Sequence, residues 1–209
     1  MLEVRDLNVW YGAAQALFDV SLQVSGGELV VLQGLNGAGK STLLRAIMGM
    51  SPRVTGTISY QNQSIERWEP YRRARAGLGY VAEDRRLFTG LTVRENLHVA
   101  AYADAPAREA QALQLFPALA NMMDRPSGRM SGGEQQMLAV ARTLMTGATL
   151  LLLDEPCEGI APLLVEAIVE ALLALKREGV TLLVAEQNRV LAAHADRALT
   201  LVAGQLRER

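Results

Sequence analysis

GLNGAGKST, residues Gly34 to Thr42, has the spacing G-x-x-x-x-G-K-S, and its setting decides the fold. Leu29 to Gln33 ahead of it is a short apolar run of strand type, and Leu43 to Met50 behind it has the composition of a helix. Strand, glycine-rich turn and helix in that order form a phosphate-binding loop. Gly34, Gly37 and Gly39 free the backbone to curl so that successive N–H groups converge on one anion, and the following helix adds its positive end. Lys40 is expected to reach the β and γ phosphates of a nucleoside triphosphate, and Ser41 to ligate Mg²⁺. The competing reading is a glycine-rich turn without a ligand. The full eight-residue pattern in its strand-to-helix setting weighs against it.

The chain has 209 residues, half of them hydrophobic, enough to bury a sizeable core. Lys plus Arg (21) against Asp plus Glu (22) leaves a formal charge of −1, so no long-range field favours nucleic acid or an anionic membrane surface. The lone cysteine, Cys157, excludes an internal disulfide and suits a reducing compartment. The chain opens MLEVRDLNV, without a basic segment and apolar signal region, and its most apolar stretch, Met137 to Leu153, contains Arg142 and Gly147 and is short for a bilayer. A cytosolic protein with at most a peripheral membrane role is expected.

Outward from the loop, Leu2 to Trp10 and Phe18 to Val24 read as an antiparallel pair, with Phe18, Val20, Leu22 and Val24 on one face. Thr57 to Tyr60, bounded by Gly56, and Gly79 to Ala82, ending at Glu83, are further strands. Between them RWEPYRRARAG interleaves four arginines with Trp68 and Tyr71; a solvated face with buried stems is favoured over a nucleic-acid patch. From Asp84 to Met130 strand-type runs vanish. Thr92 and Glu95 form a capping box for a helix to about Tyr102, and a second helix runs from Ala107 to Phe116, stopped at Pro117. Ser131 opens a helix to about Thr146, Leu150 to Leu153 is an apolar strand, Leu164, Ile168, Ala171, Leu172 and Leu175 share one helix face, and Val180 to Ala185 and Leu199 to Val202 are strands. The alternation predicts an α/β fold with a mainly parallel sheet: residues 1–83 and 131–209 form the nucleotide-binding core with an antiparallel β part, and 84–130 a helical insert.

Asp154 and Glu155 cap the apolar strand at the sheet's carboxyl edge, beside the phosphate loop. Asp154 is expected to serve the metal and Glu155 to take a proton from attacking water. Ser131 and Glu134 in MSGGEQQ have capping-box spacing, while Ser131 with Gly132 and Gly133 at a helix N-terminus is also an anion site; both readings can hold.

GLNGAGKST, MSGGEQQ and LLLLDEP, in that order with a helical insert between the first two, resemble the nucleotide-binding subunit of ATP-binding cassette (ABC) transporters over nearly the whole chain. The resemblance implies head-to-tail dimers in which each ATP lies between the loop Gly34, Leu35, Asn36, Gly37, Ala38, Gly39, Lys40, Ser41, Thr42 of one subunit and the signature Ser131, Gly132, Gly133, Glu134 of the other. It places Tyr11 against adenine. Glu83 stands where most cassettes have a glutamine that serves the metal, and Gln187 where most have the switch histidine. With LTVREN, MSGGEQQML and EGIAP these departures look like the smaller ATPase of branched-chain amino-acid importers, with urea and amide importers closely similar. That family implies ATP and Mg²⁺ as cofactors, a second ATPase subunit in a homo- or heterodimer (a different ATPase in the branched-chain importers), membrane permease subunits, a periplasmic binding protein at one remove, and a place on the cytoplasmic face of the inner membrane. Relatives commonly continue with a C-terminal helical stretch beyond the point where this chain stops, Arg209.

Gln187 donates a hydrogen bond but cannot become a cation, so a nucleotide-driven dimerisation switch with slow hydrolysis stands as the alternative to a competent ATPase. Soluble cassettes acting on DNA or ribosomes fit poorly with the short insert and near-neutral charge. Leu87, Phe88 and Leu91 are expected to form part of a groove for the membrane subunit, the methionines around the insert to be mostly core, and Cys157 a small filler.

Overall fold

The computed structural model describes residues 1–101, 104–187 and 189–207. The chain runs β1 (Leu2–Tyr11), β2 (Ala14–Val24), β3 (Leu29–Gln33), α1 (Lys40–Met48), β4 (Arg53–Tyr60), β5 (Gln63–Ser64), α2 (Pro70–Arg75), β6 (Leu78–Val81), α3 (Val93–Val99), α4 (Ala105–Leu115), α5 (Pro117–Ala120), α6 (Gly132–Leu144), β7 (Leu150–Asp154), α7 (Pro162–Arg177), β8 (Thr181–Ala185), α8 (Arg189–Ala192), β9 (Arg197–Val202) and β10 (Gln205–Arg207). Among the described residues the strands form an antiparallel sheet, β2-β1-β4-β5, and a larger sheet, β10-β9-β3-β8-β7-β6, parallel except for β10.

The larger sheet is buried on both faces, which is why Leu150 to Leu153 and Thr181 to Ala185 have no solvent-facing alternation. Its residues divide by the period of two. Leu29, Val31, Leu151, Leu153, Leu182 and Val184 join α6 and α7 through Leu138, Ile168 and Leu172. Val30, Leu32, Leu150, Leu152 and Leu183 join α1 and the small sheet through Leu43, Ile47, Val4 and Val20. The expected α/β fold is present as three layers: small sheet with α1, large sheet, helices.

The helical insert shares its core with the first of those faces, since Val93, Leu97, Phe116 and Leu119 belong to the same apolar cluster as Leu151 and Val184. Four of the five methionines around it, Met123, Met130, Met137 and Met145, are buried there. The Thr92–Glu95 capping box forms, but its helix ends at Val99; Tyr102 lies outside the described residues. Pro117 does more than stop a helix. It occupies the first turn of α5, where its missing N–H costs nothing.

Two strand expectations need correction. Gly56 lies within β4 rather than at its edge: its φ is +100°, and a Cβ there would stand 2.5 Å from the Asp6 carbonyl of β1, which itself bulges with Asp6 at φ +50°. In β2, Phe18 is not on the buried face with Val20, Leu22 and Val24. Asp19, at φ +45°, makes a bulge opposite Asn8, whose side chain bonds the Asp19 carboxylate and backbone N–H at 2.7 and 3.1 Å. Leu17 and Val20 then both point inward while Phe18 turns out.

The arginine-rich segment is also only in part the solvated face expected. Arg72 lies 4.4 Å from the Trp68 ring centroid, a surface arrangement. Arg73 is buried, and its guanidinium donates to the Ala46 and Ile47 carbonyls at the end of α1 and to Glu66 and Trp68 carbonyls. It caps the helix that follows the phosphate loop.

Candidate active site

β3 delivers the loop to the carboxyl edge of the sheet, and close approach dictates its glycines. A Cβ on Gly34 would stand 2.5 Å from the Leu201 carbonyl of β9, and one on Gly39, at φ +108°, 2.7 Å from Leu17 Cδ2. Lys40, the first residue of α1, is 4% exposed. Its ammonium donates to the Gly34 carbonyl at 2.9 Å and pairs with Glu155 Oε1 at 3.0 Å. Lysine thus holds both the loop and the acid.

Ser41 Oγ donates to Asp154 Oδ1 at 2.8 Å, and Tyr80 donates its hydroxyl to Oδ2 at 3.0 Å. Burial pushes the Asp154 carboxyl up, and these two hydrogen bonds oppose it. Tyr80 is itself pushed up to about 12, by burial first and the Asp154 charge second, so it stays a donor. A hydrogen bond with Tyr80 holds Arg45 above its usual value and completes a line Arg45, Tyr80, Asp154, Ser41. Tyr80 and Arg45 were not legible in the sequence. Tyr80 reaches the site because β6 pairs with β7 in the register Tyr80 opposite Leu152, two residues short of Asp154.

Glu155 sits at φ +47° and is 8% exposed, pinned by its backbone N–H to the Ala185 carbonyl at 2.9 Å. Burial raises its carboxyl, but hydrogen bonds with Glu158 and Lys40 outweigh that and hold it below the usual range. Glu158 carries the converse: the Glu155 hydrogen bond and charge push it up to about 7. Gln187 Nε2 donates to the Asn36 side chain and lies 3.4 and 3.5 Å from the Glu155 oxygens. Buried Glu186, also missed in the sequence, accepts from the backbone N–H groups of Cys157 (3.1 Å) and Gln187 (2.9 Å) and so ties the loop after Glu155 to the loop after β8. Burial, then Glu186, pushes the Cys157 thiol up to about 12, which suits a filler and not a reactive thiolate.

These residues surround a cleft of about 550 Å³ lined by Gln15, Phe18, Asn36, Lys40 to Thr42, Glu83, Glu155 and Glu158. Gly37 and Gly39 line it too, while Gly34, Leu35 and Ala38 face the adjoining cleft with Gln187. Glu83, two residues beyond the end of β6, lines the cleft. Tyr11 ends β1 and is not among the lining residues; the aromatic wall is Phe18, turned outward by the bulge. The hairpin of β9 and β10 closes that wall, with Phe18 N–H donating to the Gly204 carbonyl and Gly204 N–H to the Ala38 carbonyl, both at 2.9 Å. Ser131, Gly132, Gly133 and Glu134 stand apart from the cleft, at the start of α6. The capping box is formed there, Ser131 N–H donating to Glu134 Oε2 at 2.7 Å. A Cβ on Gly133 would fall 2.2 Å from Leu164 Cδ1 of α7, so that glycine serves packing, whereas Gly132 leaves its backbone open beside Arg85.

Residues 17–158 match the ABC transporter family. The chain belongs to the ABC transporter family. Along 99% of its length it is 42% identical to the high-affinity branched-chain amino acid transport ATP-binding protein BraG of Pseudomonas aeruginosa, covering 91% of that protein. It is 36% identical, over 99% of the chain and 90% of the relative, to the probable branched-chain amino acid transport ATP-binding protein LivF of Archaeoglobus fulgidus. A nucleotide-free ATP-binding cassette from an ABC transporter superposes with a TM-score of 0.88 at 26% identity, over all of this chain and 90% of that one. As an ATP-binding subunit of this family, the cassette is an ATPase.

Proposed function

We propose that this cassette hydrolyses ATP to drive import of branched-chain amino acids, as one of two ATPase subunits beneath membrane permease subunits on the cytoplasmic face, with a periplasmic binding protein delivering the cargo. The convergence of Lys40, Glu155, Gln187 and Asn36 on one edge of the cleft supports the hydrolytic reading. The near full-length likeness to BraG supports the cargo. Among the described residues no helix is long and apolar enough to cross a membrane, and no group of three or more His, Cys, Asp or Glu side chains forms a metal site. Ser41 and Asp154, with Glu83 at the rim, nevertheless offer the hard oxygen donors that suit Mg²⁺ held jointly with phosphate oxygens. Bound there, Mg²⁺ would neutralise phosphate charge.

In the reaction the Lys40 ammonium turns to the β and γ phosphates, which frees the Glu155 carboxylate to take a proton as the water oxygen bonds to the γ phosphorus and the bond to the bridging oxygen breaks. Gln187 steadies the γ phosphate without positive charge, and that keeps a slow dimerisation switch as the second reading.

The adenine wall is testable by paired substitutions. Phe18→Ala is expected to weaken ATP binding about tenfold, in line with the roughly 1–3 kcal/mol of a base–aromatic stack, and to leave inorganic triphosphate binding unchanged. Tyr11→Ala, measured beside it by calorimetry, decides whether Tyr11 also contacts the base; an effect on Tyr11 alone would move the adenine to the end of β1.

The membrane contact is expected at Phe88, half-exposed beneath the Arg142 guanidinium at 5.6 Å, with half-buried Leu87 and Leu91 behind it. Next to it Met48, Met50, Tyr80 and Arg142 line a cleft of about 250 Å³. Cells carrying Leu87→Glu/Phe88→Glu should lose most uptake of labelled leucine and valine while the purified variant binds ATP as before. Uptake at the wild-type rate would remove this surface from coupling, and wild-type cells that show no such uptake would overturn the cargo assignment.

A further inference from the structure

Asp154 is a fully buried carboxylate, and among the described residues no ion pair holds it; Lys40, the basic side chain of the phosphate loop, pairs with Glu155 instead. Two hydroxyls from two different elements hold it. Ser41 of α1 donates to Oδ1 at 2.8 Å and Tyr80 of β6 to Oδ2 at 3.0 Å, so each oxygen has its own donor and the plane of the group is fixed. Carboxylates this deep in a protein are paired or ligate cations. The backbone that carries Tyr80 has no freedom to shift. Gly79 before it leaves no space for a Cβ, which would stand 2.6 Å from Thr143 Cγ2 of α6 and 2.7 Å from Leu151 Cδ2 of β7. With β6 clamped in this way, the Tyr80 ring forms part of the wall of the cleft of about 250 Å³ that Met48, Met50 and Arg142 also line, and its hydroxyl reaches inward to Asp154. A phenylalanine ring would fill the same wall. Only the hydroxyl serves the carboxylate.

We propose that Tyr80 is a positioning residue for the reaction: its hydroxyl fixes the Asp154 carboxylate so that the oxygen beside Ser41 meets Mg²⁺, and affinity for the metal depends on that bond. This rests on the reading of Asp154 as the residue that serves Mg²⁺ and adds what sets its orientation. Ser41 lines the nucleotide cleft, so Oδ1 is the oxygen on the cleft side and Oδ2 the one anchored behind. Without the Tyr80 hydroxyl, Oδ2 would be buried and bare. A buried acceptor left without a donor costs more than the net worth of the bond it lost, so the carboxylate turns toward another partner and Oδ1 leaves its place beside Ser41. Mg²⁺ demands a near-ideal octahedral set of oxygens and tolerates little such turning.

The test uses the full chain loaded with a non-hydrolysable ATP analogue and follows the binding of Mn²⁺, standing in for Mg²⁺, by electron paramagnetic resonance; affinity for the analogue is measured beside it in EDTA. Tyr80→Phe should weaken Mn²⁺ binding about tenfold, as when a residue that orients a metal-serving side chain is lost, and leave analogue affinity in EDTA unchanged. Asp154→Asn should weaken Mn²⁺ binding at least as much. Adding Tyr80→Phe to it should change nothing further, because the tyrosine acts through the carboxylate alone. Full Mn²⁺ affinity in Tyr80→Phe overturns the proposal. So does a loss of the same size with and without Asp154→Asn, or a fall in analogue affinity in EDTA, either of which would make Tyr80 a general support of the fold. Asp154→Asn with unchanged Mn²⁺ affinity brings down the metal reading of Asp154 and the proposal with it, whereas a loss in Asp154→Asn and none in Tyr80→Phe leaves that reading standing and removes Tyr80 alone.

Discussion

Glu155→Gln is expected to lower ATP turnover on the order of 10²-fold or more, while ATP binding is retained or becomes several-fold tighter. The first half follows from position. Glu155 is the ionised group at the cleft edge whose carboxylate is held below its usual range, so it is available as a base at neutral pH. The second half follows from Lys40. In the free cassette its ammonium is shared between Glu155 and the loop carbonyls, and ATP must compete with a 3.0 Å ion pair to win it. Glutamine keeps the size and a hydrogen-bonding oxygen but gives up the charge, so lysine passes to the phosphates at lower cost. Phosphate release and ATP binding, measured on the same preparations at saturating nucleotide and Mg²⁺, check both halves. A variant that turns over like wild type would remove Glu155 from the base role. Wild type and variant equally slow, each binding ATP, would favour the dimerisation switch that Gln187 permits.

What the sequence made legible were features whose meaning is local. The phosphate loop, the strand tipped by Asp154 and Glu155, and both capping boxes are short patterns, and each forms where its spacing says. Residues that matter through pairing across strands were not. Tyr80 reaches Asp154 only because β6 lies beside β7. Strict alternation places Phe18 on the buried face, and a one-residue bulge at Asp19 reverses it. The hairpin that closes the same wall turns on Ala203 and Gly204, both at positive φ, and alanine there carries no turn signal of the kind asparagine or aspartate would. The signature turn was legible as a helix start, yet its distance from the cleft appears only in three dimensions.

Lys40→Ala should reduce ATP affinity by roughly 30- to 1000-fold, the equivalent of about 2–4 kcal/mol, as expected when one member of a buried charged contact is truncated. The same change strikes the protein before any ligand arrives. Lys40 and Glu155 are both nearly inaccessible, and removing one leaves a carboxylate with Glu158 and a distant amide for company. Breaking such a pair costs up to about 3–5 kcal/mol of folding stability. The pH dependence identifies the cause. Because Glu155 titrates below its unfolded value, its contribution to stability is present above the unfolded carboxylate range and is lost as pH falls through the folded value. The deficit of Lys40→Ala should therefore be full at pH 7 and shrink as acid protonates Glu155, when neither protein retains the ion pair. Urea melts at pH 7 and at a series of lower pH values that runs through and below the carboxylate range measure this directly. A deficit that stays constant across that range would mean that lysine acts through the Gly34 and Leu35 carbonyls alone, and Lys40→Arg would then restore stability without restoring ATP binding, since a guanidinium keeps the donors but not the compact charge the phosphates require.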